Sequence, residues 1–186
     1  MARYFPGLLH ARGNEELRKL RSLPATDIAK NVILGESTSF YIEGVFKQIV
    51  IKQGVLFRKF CNLLVYTDAD LLIDEGVFFN NYCSINCLGK IEIGAKTVFG
   101  EGVKLYDHNH NYHYEKDGTL VLEKDNYKIG DIKIGKNCWI GSNVTILQNV
   151  NIGDNVIIGA NCLIYKSIPS NSIVKHEENL IITTSA

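Results

Sequence analysis

The chain has 186 residues with 20 basic and 20 acidic side chains, so its formal net charge is zero. A balanced charge without a basic run gives no electrostatic basis for binding nucleic acid or an anionic membrane. No apolar stretch approaches the roughly 18–20 residues that span a bilayer, and the short apolar N-terminus is broken by Pro6, unlike a signal peptide. Length and composition therefore predict a single cytoplasmic domain, residues 1–186, large enough to enclose a substantial core.

Residues 1–31 are predicted to form an N-terminal helical segment. Asn14, followed by two glutamates, is typical of a helix N-cap with an acidic first turn. Leu17 and Leu20 supply an apolar face, and a proline follows shortly after. We expect one short helix from Asn14 to Ser22, covering an end or a side of the rest of the domain.

From residue 32 to residue 169 apolar residues recur six positions apart. Between Ile134 and Ile164 an isoleucine stands at every sixth position, and four of these six isoleucines precede a glycine. A helix repeats near 3.6 residues and a strand near 2, so a period of six indicates short strands joined by tight turns. The glycines fall where a side chain would crowd the turn. Earlier, looser sets are Leu34, Phe40, Phe46; Ile51, Phe57, Leu63; Ile73, Phe79, Ile85; and Ile93, Phe99, Leu105.

Repeats of this kind stack into a parallel β-helix, in which each coil buries its apolar residues against its neighbours. Three hexads make one coil, which predicts an all-β fold of about six three-sided coils. Four of the five cysteines (Cys61, Cys83, Cys138 and Cys162) occupy the small-residue position inside the repeat. We interpret them as small buried hydrophobes rather than as disulfide or zinc partners. Cys87 is out of register and is expected in a turn-like insertion.

The period is lost between residues 106 and 131. This segment is polar, rich in histidine, tyrosine and asparagine, and contains a turn signal at Asp117-Gly118. A long excursion from a regular solenoid favours a binding or catalytic loop. Residues 170–186 form a C-terminal extension that could return along the outside of the coils, ending in a frayed tail.

Three of the five histidines, His108, His110 and His113, lie within six residues at the start of this loop, beside Asp107 and Tyr106. Such a cluster can be a solvated polar turn. Its position, where the coil gives way to the loop, favours a site instead. Histidine has an ordinary pKa of about 6.5, which suits proton transfer near neutral pH.

The DHNH segment at residues 107–110, together with the hexads from Ile132 to Pro169, resembles the hexapeptide-repeat acyltransferases, and within them the maltose, galactoside and polysaccharide O-acetyltransferases. The resemblance covers residues 77–171 well and the earlier coils only by their period. It implies a left-handed coil, an exception to the usual right-handed crossover. It also implies transfer of acetyl from acetyl-CoA without a metal, and a homotrimer in which the loop of one chain reaches over its neighbour to form inter-subunit active sites.

The resemblance also implies roles for individual residues. His110 takes the position of the general base, with His108 as second choice, while His113 contacts substrate or solvent. The amide at Ser142, next to Gly141, would stabilise the oxyanion of the tetrahedral intermediate. The remaining residues are expected to bind CoA (Trp139, Gly159, Ala160, Lys166) or the acceptor (Asn80, His108, Tyr106).

Two departures from the family pattern bear on the acceptor and the donor. The sugar acetyltransferases carry an acidic residue at the corner after the asparagine that Asn80 matches, whereas this chain has residues 86–88, Asn-Cys-Leu. That favours a polysaccharide or lipid-linked sugar over a simple galactoside or maltose. The family's C-terminal G-x-P-A-K is replaced by residues 175–181, so CoA binding there must differ.

Other readings stay open on the sequence alone. One is N-acetylation of an amino-sugar nucleotide, although few residues precede the coils to bind the nucleotide. A metal-dependent hydratase of the same coil would need three converging histidines. A non-catalytic binding or scaffold protein is the third alternative.

Overall fold

The computed structural model describes residues 11–177, with the side chains of residues 15–177. Its N-terminal element is helix α1, Ala11–Arg21. Leu17 and Leu20 are buried in the core beneath it, as the sequence predicts. The helix begins three residues earlier than expected, so Asn14 lies inside it rather than at its N-cap.

Every coil consists of three short strands, one on each of three faces, and equivalent strands of successive coils pair in parallel. The first face contains β1 (Thr26–Ile28), β4 (Gln48–Ile51), β7 (Asp70–Ile73), β10 (Lys90–Ile93), β15 (Asp131–Ile134) and β18 (Val150–Ile152). The second contains β2 (Ile33–Leu34), β5 (Leu56–Phe57), β8 (Phe78–Phe79), β11 (Val98–Phe99), β16 (Trp139–Ile140), β19 (Ile157–Ile158) and β21 (Ile173–Val174). The third contains β3 (Ser39–Ile42), β6 (Asn62–Val65), β9 (Ser84–Cys87), β12 (Lys104–Tyr106), β17 (Thr145–Leu147) and β20 (Leu163–Ile164).

The predicted all-β fold, a left-handed parallel β-helix of about six three-sided coils with one short helix, is confirmed. We name the corners by the faces that they join: the first corner links faces one and two, the second corner faces two and three, and the third corner leads from face three into the next coil.

The core consists of columns of inward side chains stacked from coil to coil. On the second face the fully buried rings of Phe57, Phe79 and Phe99 stack with centroids 4.5 and 4.6 Å apart. This spacing matches the roughly 4.8 Å between paired strands, so identical side chains in register contact each other along the whole column. The hexad isoleucines continue the column beyond Phe99.

Two residue types build the corners. The first is glycine after the apolar position: a Cβ on Gly141 would lie 2.5 Å from the Ala160 nitrogen of the next coil, closer than a carbon can approach. The second is a residue with positive φ, which is asparagine throughout the last two coils, for example Asn143 and Asn161 at 58° and 62°. Asparagine tolerates this left-handed conformation better than most residues. The sequence-based reason for the glycines is therefore confirmed for Gly141.

Three further details differ from the sequence-based predictions. The first coil is Ile28, Leu34 and Phe40, so the repeat begins at Thr26, and Phe46 is buried at a corner because extra residues shift the register there. Cys87 ends β9 and is buried, rather than lying in a turn-like insertion.

The third detail is the C-terminal extension. Its described part does not return along the outside. Instead Ile168 pairs with Ile152 and β21 pairs with β19, so the chain begins a further partial coil. The expected frayed tail lies outside the described residues. In the part of the chain that the structure describes, no helix is long and apolar enough to cross a membrane.

Candidate functional site

The segment that interrupts the repeat is a β-hairpin that leaves the stack at the third corner of the fourth coil. Strands β13 (His108–Tyr114) and β14 (Leu120–Ile129) pair antiparallel. The predicted turn is present: Gly118 has φ +85° and donates its amide to Glu115. The hairpin thus carries the histidine cluster on its first strand, at the base where it joins the coils.

Asp107 anchors this base. Its side chain is fully buried and accepts hydrogen bonds from the backbone amides of Leu88, at 2.9 and 3.0 Å, and Gly89, at 2.8 Å. Its carbonyl accepts from Gly130 at 2.7 Å, where the chain re-enters the stack. A buried carboxylate requires such donors, because leaving it unpaired in the interior is costly. Asp107 therefore fixes both ends of the hairpin to the preceding coil.

The same carboxylate positions one histidine. His108 Nδ1 lies 3.3 Å from Asp107 Oδ1, and the His108 side chain is largely covered. His110, two residues along the same strand, is exposed, and its ring lies 4.8 Å from that of Tyr127 on the opposite strand. Tyr127 also meets the ring of His108 edge-on at 5.3 Å. The two imidazoles thus share one tyrosine, and only His110 is open to a ligand.

The aromatic cluster extends to the third corner of the second coil. Tyr66 packs edge-on against Tyr127 at 6.0 Å. The pKa of Tyr66 is raised to about 12, chiefly because its hydroxyl is hydrogen-bonded to the Glu43 carboxylate. Burial of the hydroxyl and the neighbouring Tyr127 are smaller causes in the same direction. Tyr106 lies 6.5 Å from His108, so this predicted acceptor residue belongs to the cluster. Tyr127, Tyr66 and Glu43 were not singled out by the sequence, and only the pairing of β13 with β14 brings Tyr127 here.

His113 is placed elsewhere. It lies further out on the hairpin, exposed, with Nδ1 3.1 Å from Glu123 and Nε2 3.6 Å from Glu115. Among the described residues, His113 makes no ring contact and no hydrogen bond with His108 or His110.

A second group of predicted residues lies at the second corner. Gly141 and Ser142 occupy it in the fifth coil, Gly159 and Ala160 in the sixth, and Asn80 in the third. At the equivalent corner of the second coil, the amide of Lys59 donates to Asn81 Oδ1 of the next coil at 3.2 Å. The residue above Ser142 is Ala160, which has no side-chain acceptor. Among the described residues no hydrogen bond uses the Ser142 amide, so this N–H is available to a ligand.

Trp139 lies beside this corner on the outside of the second face. Its side chain is 59% exposed, and it stands in register between Val98 and Ile157, which are also exposed. Lys166 lies apart, beyond β20 at the third corner of the sixth coil, with its ammonium 5.5 Å from the ring of Tyr165.

Within one chain the predicted residues other than Lys166 therefore form two separate groups. His108, His110 and Tyr106 lie at the third corner, while Asn80, Gly141, Ser142, Gly159 and Ala160 line the second corner with Trp139 beside them. The third face separates the groups: five residues lead from Ser142 to the end of β17 at Leu147.

In residues 11–177 no three His, Cys, Asp or Glu side chains converge in an arrangement that could hold a metal ion. A shallow depression of about 350 Å³ lies on the first face, floored by Val50 and Leu72 and rimmed by paired charges such as Lys52 and Asp74, 3.1 Å apart. None of the predicted site residues borders this depression.

Comparison with known proteins supports the sequence-based resemblance. Residues 131–166 match the family model described as bacterial transferase hexapeptide (six repeats). No curated protein matches the chain by sequence. The fold is similar to that of solved structures at low identity, among them AntD, an N-acyltransferase from Bacillus cereus in complex with dTDP and coenzyme A, with TM-score 0.61, 21% identity, and 93% of this chain and 88% of that one covered.

Two further solved structures show the same architecture. The polysialic acid O-acetyltransferase OatWY has TM-score 0.54 and 21% identity over 87% of this chain and 88% of its own. The hexapeptide-repeat containing-acetyltransferase VCA0836 from Vibrio cholerae has TM-score 0.51 and 16% identity, covering 90% and 85%. The predicted resemblance to hexapeptide-repeat acyltransferases is confirmed for the repeat and for the fold.

Proposed function

We propose that this protein transfers the acetyl group of acetyl-CoA to a hydroxyl of a sugar or polysaccharide precursor. The observation that carries the proposal is the base of the hairpin, where buried Asp107 fixes the strand that presents exposed His110. An imidazole held on a rigid strand at the surface suits proton transfer to and from a bound substrate. The likeness to solved acyltransferases that contain CoA supports the donor.

In this proposal His110 removes the proton of the acceptor hydroxyl as its oxygen attacks the thioester carbon of acetyl-CoA. The amide of Ser142 donates to the resulting oxyanion, and Gly141 beside it leaves room for the thioester. Collapse of the tetrahedral intermediate breaks the C–S bond, and the CoA sulfur takes the proton from His110. The products are the acetyl ester and free CoA, with no covalent enzyme intermediate.

The two residue groups meet in this scheme only if a second copy of the chain supplies one of them. His110 follows the third corner of the fourth coil and Ser142 lies at the second corner of the fifth, so the third face separates them. We propose a homotrimer in which the hairpin of one chain reaches the second corner of its neighbour. Trp139, Gly159, Ala160 and Lys166 would then line the path of CoA, and Asn80, Tyr106 and His108 would contact the acceptor.

The test combines acetyl-CoA binding with turnover by His110→Ala. We expect acetyl-CoA at 100 times its Kd to stabilise both proteins, by about 2.7 kcal/mol for a ligand of the native state. Release of CoA with a panel of sugar acceptors should fall by about 10²–10⁴-fold in His110→Ala. His113→Ala, an exposed histidine further along the same hairpin, is the matched control and should retain activity.

If acetyl-CoA stabilises neither protein, the transferase proposal fails and the binding or scaffold alternative takes its place. If turnover is unchanged in His110→Ala but lost in His108→Ala, the general base is His108 rather than His110. Acetylation of a dTDP-linked amino sugar at nitrogen, with no transfer to hydroxyls, would replace O-transfer by N-transfer.

A further inference from the structure

The second corner carries an anomaly in the second and third coils. Six successive coils place a residue with φ from 57° to 69° at the same point of this corner: Ser37, Phe60, Tyr82, Gly102, Asn143 and Asn161. Glycine and asparagine suit this left-handed conformation, and bulky aromatic residues do not. Phe60 and Tyr82, at 60° and 61°, are therefore held in a conformation that their side chains disfavour.

The two aromatic rings are also exposed. They stack with centroids 5.0 Å apart and planes 8° from parallel, yet Phe60 is 37% and Tyr82 54% accessible to solvent. Gly102, which follows Tyr82 in the stack, has no side chain to cover that ring. The next residue up, Asn143, points its side-chain oxygen towards Gly102, within 2.6 Å of where a Cβ would be. Along the stack, the second corner therefore presents the exposed ring of Tyr82, then the open space at Gly102, and then the side-chain amide of Asn143.

Polar groups of balanced charge surround the stacked pair. Arg58 lies 3.4 Å from Asn80 Oδ1, and Asn81 Nδ2 lies 3.4 Å from Glu101. Lys59 is paired with Glu36 at 3.0 Å. Two cations and two carboxylates give no net positive charge, which does not favour a nucleoside diphosphate. Amides beside an aromatic face instead suit a ligand with hydroxyls at its edge and an apolar ring face.

We infer that Phe60 and Tyr82 form a stacking platform for a pyranose ring of the acceptor, and that the acceptor is therefore a glycan chain rather than a single sugar. The inference rests on the proposed function for the identity of the reacting sugar. Asn80 is only two residues from Tyr82, at the same corner of the third coil. When one sugar of a glycan binds at Asn80, the next sugar of that glycan can therefore reach the stacking platform.

The test uses Phe60→Asn, Tyr82→Asn and the double variant. Asparagine tolerates the left-handed backbone of this corner better than an aromatic residue does, so we expect the variants to keep the thermal stability of the wild-type protein. Binding of chitotetraose, cellotetraose, maltotetraose and tetrameric sialic acid is measured by saturation-transfer NMR without acetyl-CoA, beside the corresponding monosaccharides. Tyr41→Asn, which removes a tyrosine 62% exposed on the third face, is the control.

We expect at least one tetrasaccharide to bind the wild-type protein and Tyr41→Asn, and to bind the double variant at least tenfold more weakly. In turnover the double variant should raise KM for that tetrasaccharide tenfold or more, with kcat and the monosaccharide KM unchanged. No tetrasaccharide binding by the wild type, or equal binding by the double variant, overturns the inference. A change in sedimentation of the double variant also overturns it, since the rings would then form a subunit contact. Because binding is measured without acetyl-CoA, failure of the transferase proposal remains distinguishable from failure of the platform.

Discussion

Gly141→Ala and Gly159→Ala make the same chemical change at the same corner, one coil apart, and we expect opposite results. A methyl group on Gly141 would lie 2.5 Å from the Ala160 nitrogen, 2.7 Å from the Gly159 carbonyl carbon and 2.8 Å from the Ile158 oxygen. All three atoms are backbone of the next coil, so no side chain can move aside. On Gly159 the nearest atom would be the Val174 oxygen at 3.4 Å, an ordinary contact.

Backbone conformation does not distinguish the two sites, because neither Gly141 nor Gly159 is among the glycines with positive φ. Alanine therefore reduces the entropy of the unfolded chain equally at both, which stabilises by about 0.4–1 kcal/mol. At Gly141 this gain is opposed by overpacking, typically about 1–3 kcal/mol. The Gly141 amide bonds to Ile158 at 2.7 Å, and separating the coils to admit the methyl group would stretch this bond. We expect Gly141→Ala to lose about 1–2 kcal/mol and Gly159→Ala to gain about 0.5 kcal/mol.

Thermal unfolding followed by circular dichroism measures the difference. For a chain of this length 1 kcal/mol corresponds to roughly 2–4 °C in Tm. Gly141→Ala should therefore melt about 3–6 °C below the wild-type protein, and Gly159→Ala at or slightly above it. Equal Tm values for the two variants would refute the steric explanation of the repeat's glycines.

Four further predictions concern the core and the anchor of the hairpin. Phe79→Ala should cost about 3–5 kcal/mol in urea unfolding, because the ring is fully buried between two others, whereas outward-facing Phe78→Ala should cost clearly less; equal losses would contradict the assignment of inward and outward positions. Thr97→Val should cost about 1–3 kcal/mol, since the buried hydroxyl bonds a carbonyl at 2.8 Å and an amide at 3.2 Å of the next coil; a neutral result would show that the corner rearranges. Asp107→Ala should cost about 3 kcal/mol by leaving two buried amides without an acceptor, and unchanged proteolysis of the hairpin would argue against its role as anchor. All five thiols are buried, and burial raises the pKa of the Cys87 thiol, so a disulfide reagent should modify none of them in the native protein within minutes and all five in urea; rapid native modification would place a thiol at the surface.

Much of the fold is determined locally and is therefore readable from the sequence. The period of six reflects the length of one strand and its turn, so it indicates the β-helix, its inward columns and the buried cysteines, and the glycines that follow several of the apolar positions mark the turns. The helix containing Leu17 and Leu20 and the turn at Gly118 depend on equally local signals. The histidine cluster was recognisable because it stands where the period stops.

The stacking of one coil on the next could not be predicted from the sequence. Equivalent residues are 18 apart between Ile134 and Ile152 but 22 apart between Ile51 and Ile73, because corner residues are inserted unevenly. The hexad period alone does not give that offset. The contacts between Asp107 and the Leu88–Gly89 corner, and between the rings of Phe60 and Tyr82, both depend on it.

The two residue groups of the candidate site illustrate the same division. The sequence predicts the residue types of the candidate site, because an imidazole and an aromatic ring keep their chemical properties wherever they lie. That the Ser142 amide has no hydrogen-bond partner among the described residues follows only from its place beneath Ala160 of the next coil. Only the tertiary structure placed His110 and Ser142 at different corners of one chain, because each corner position follows from the number of residues in every preceding turn.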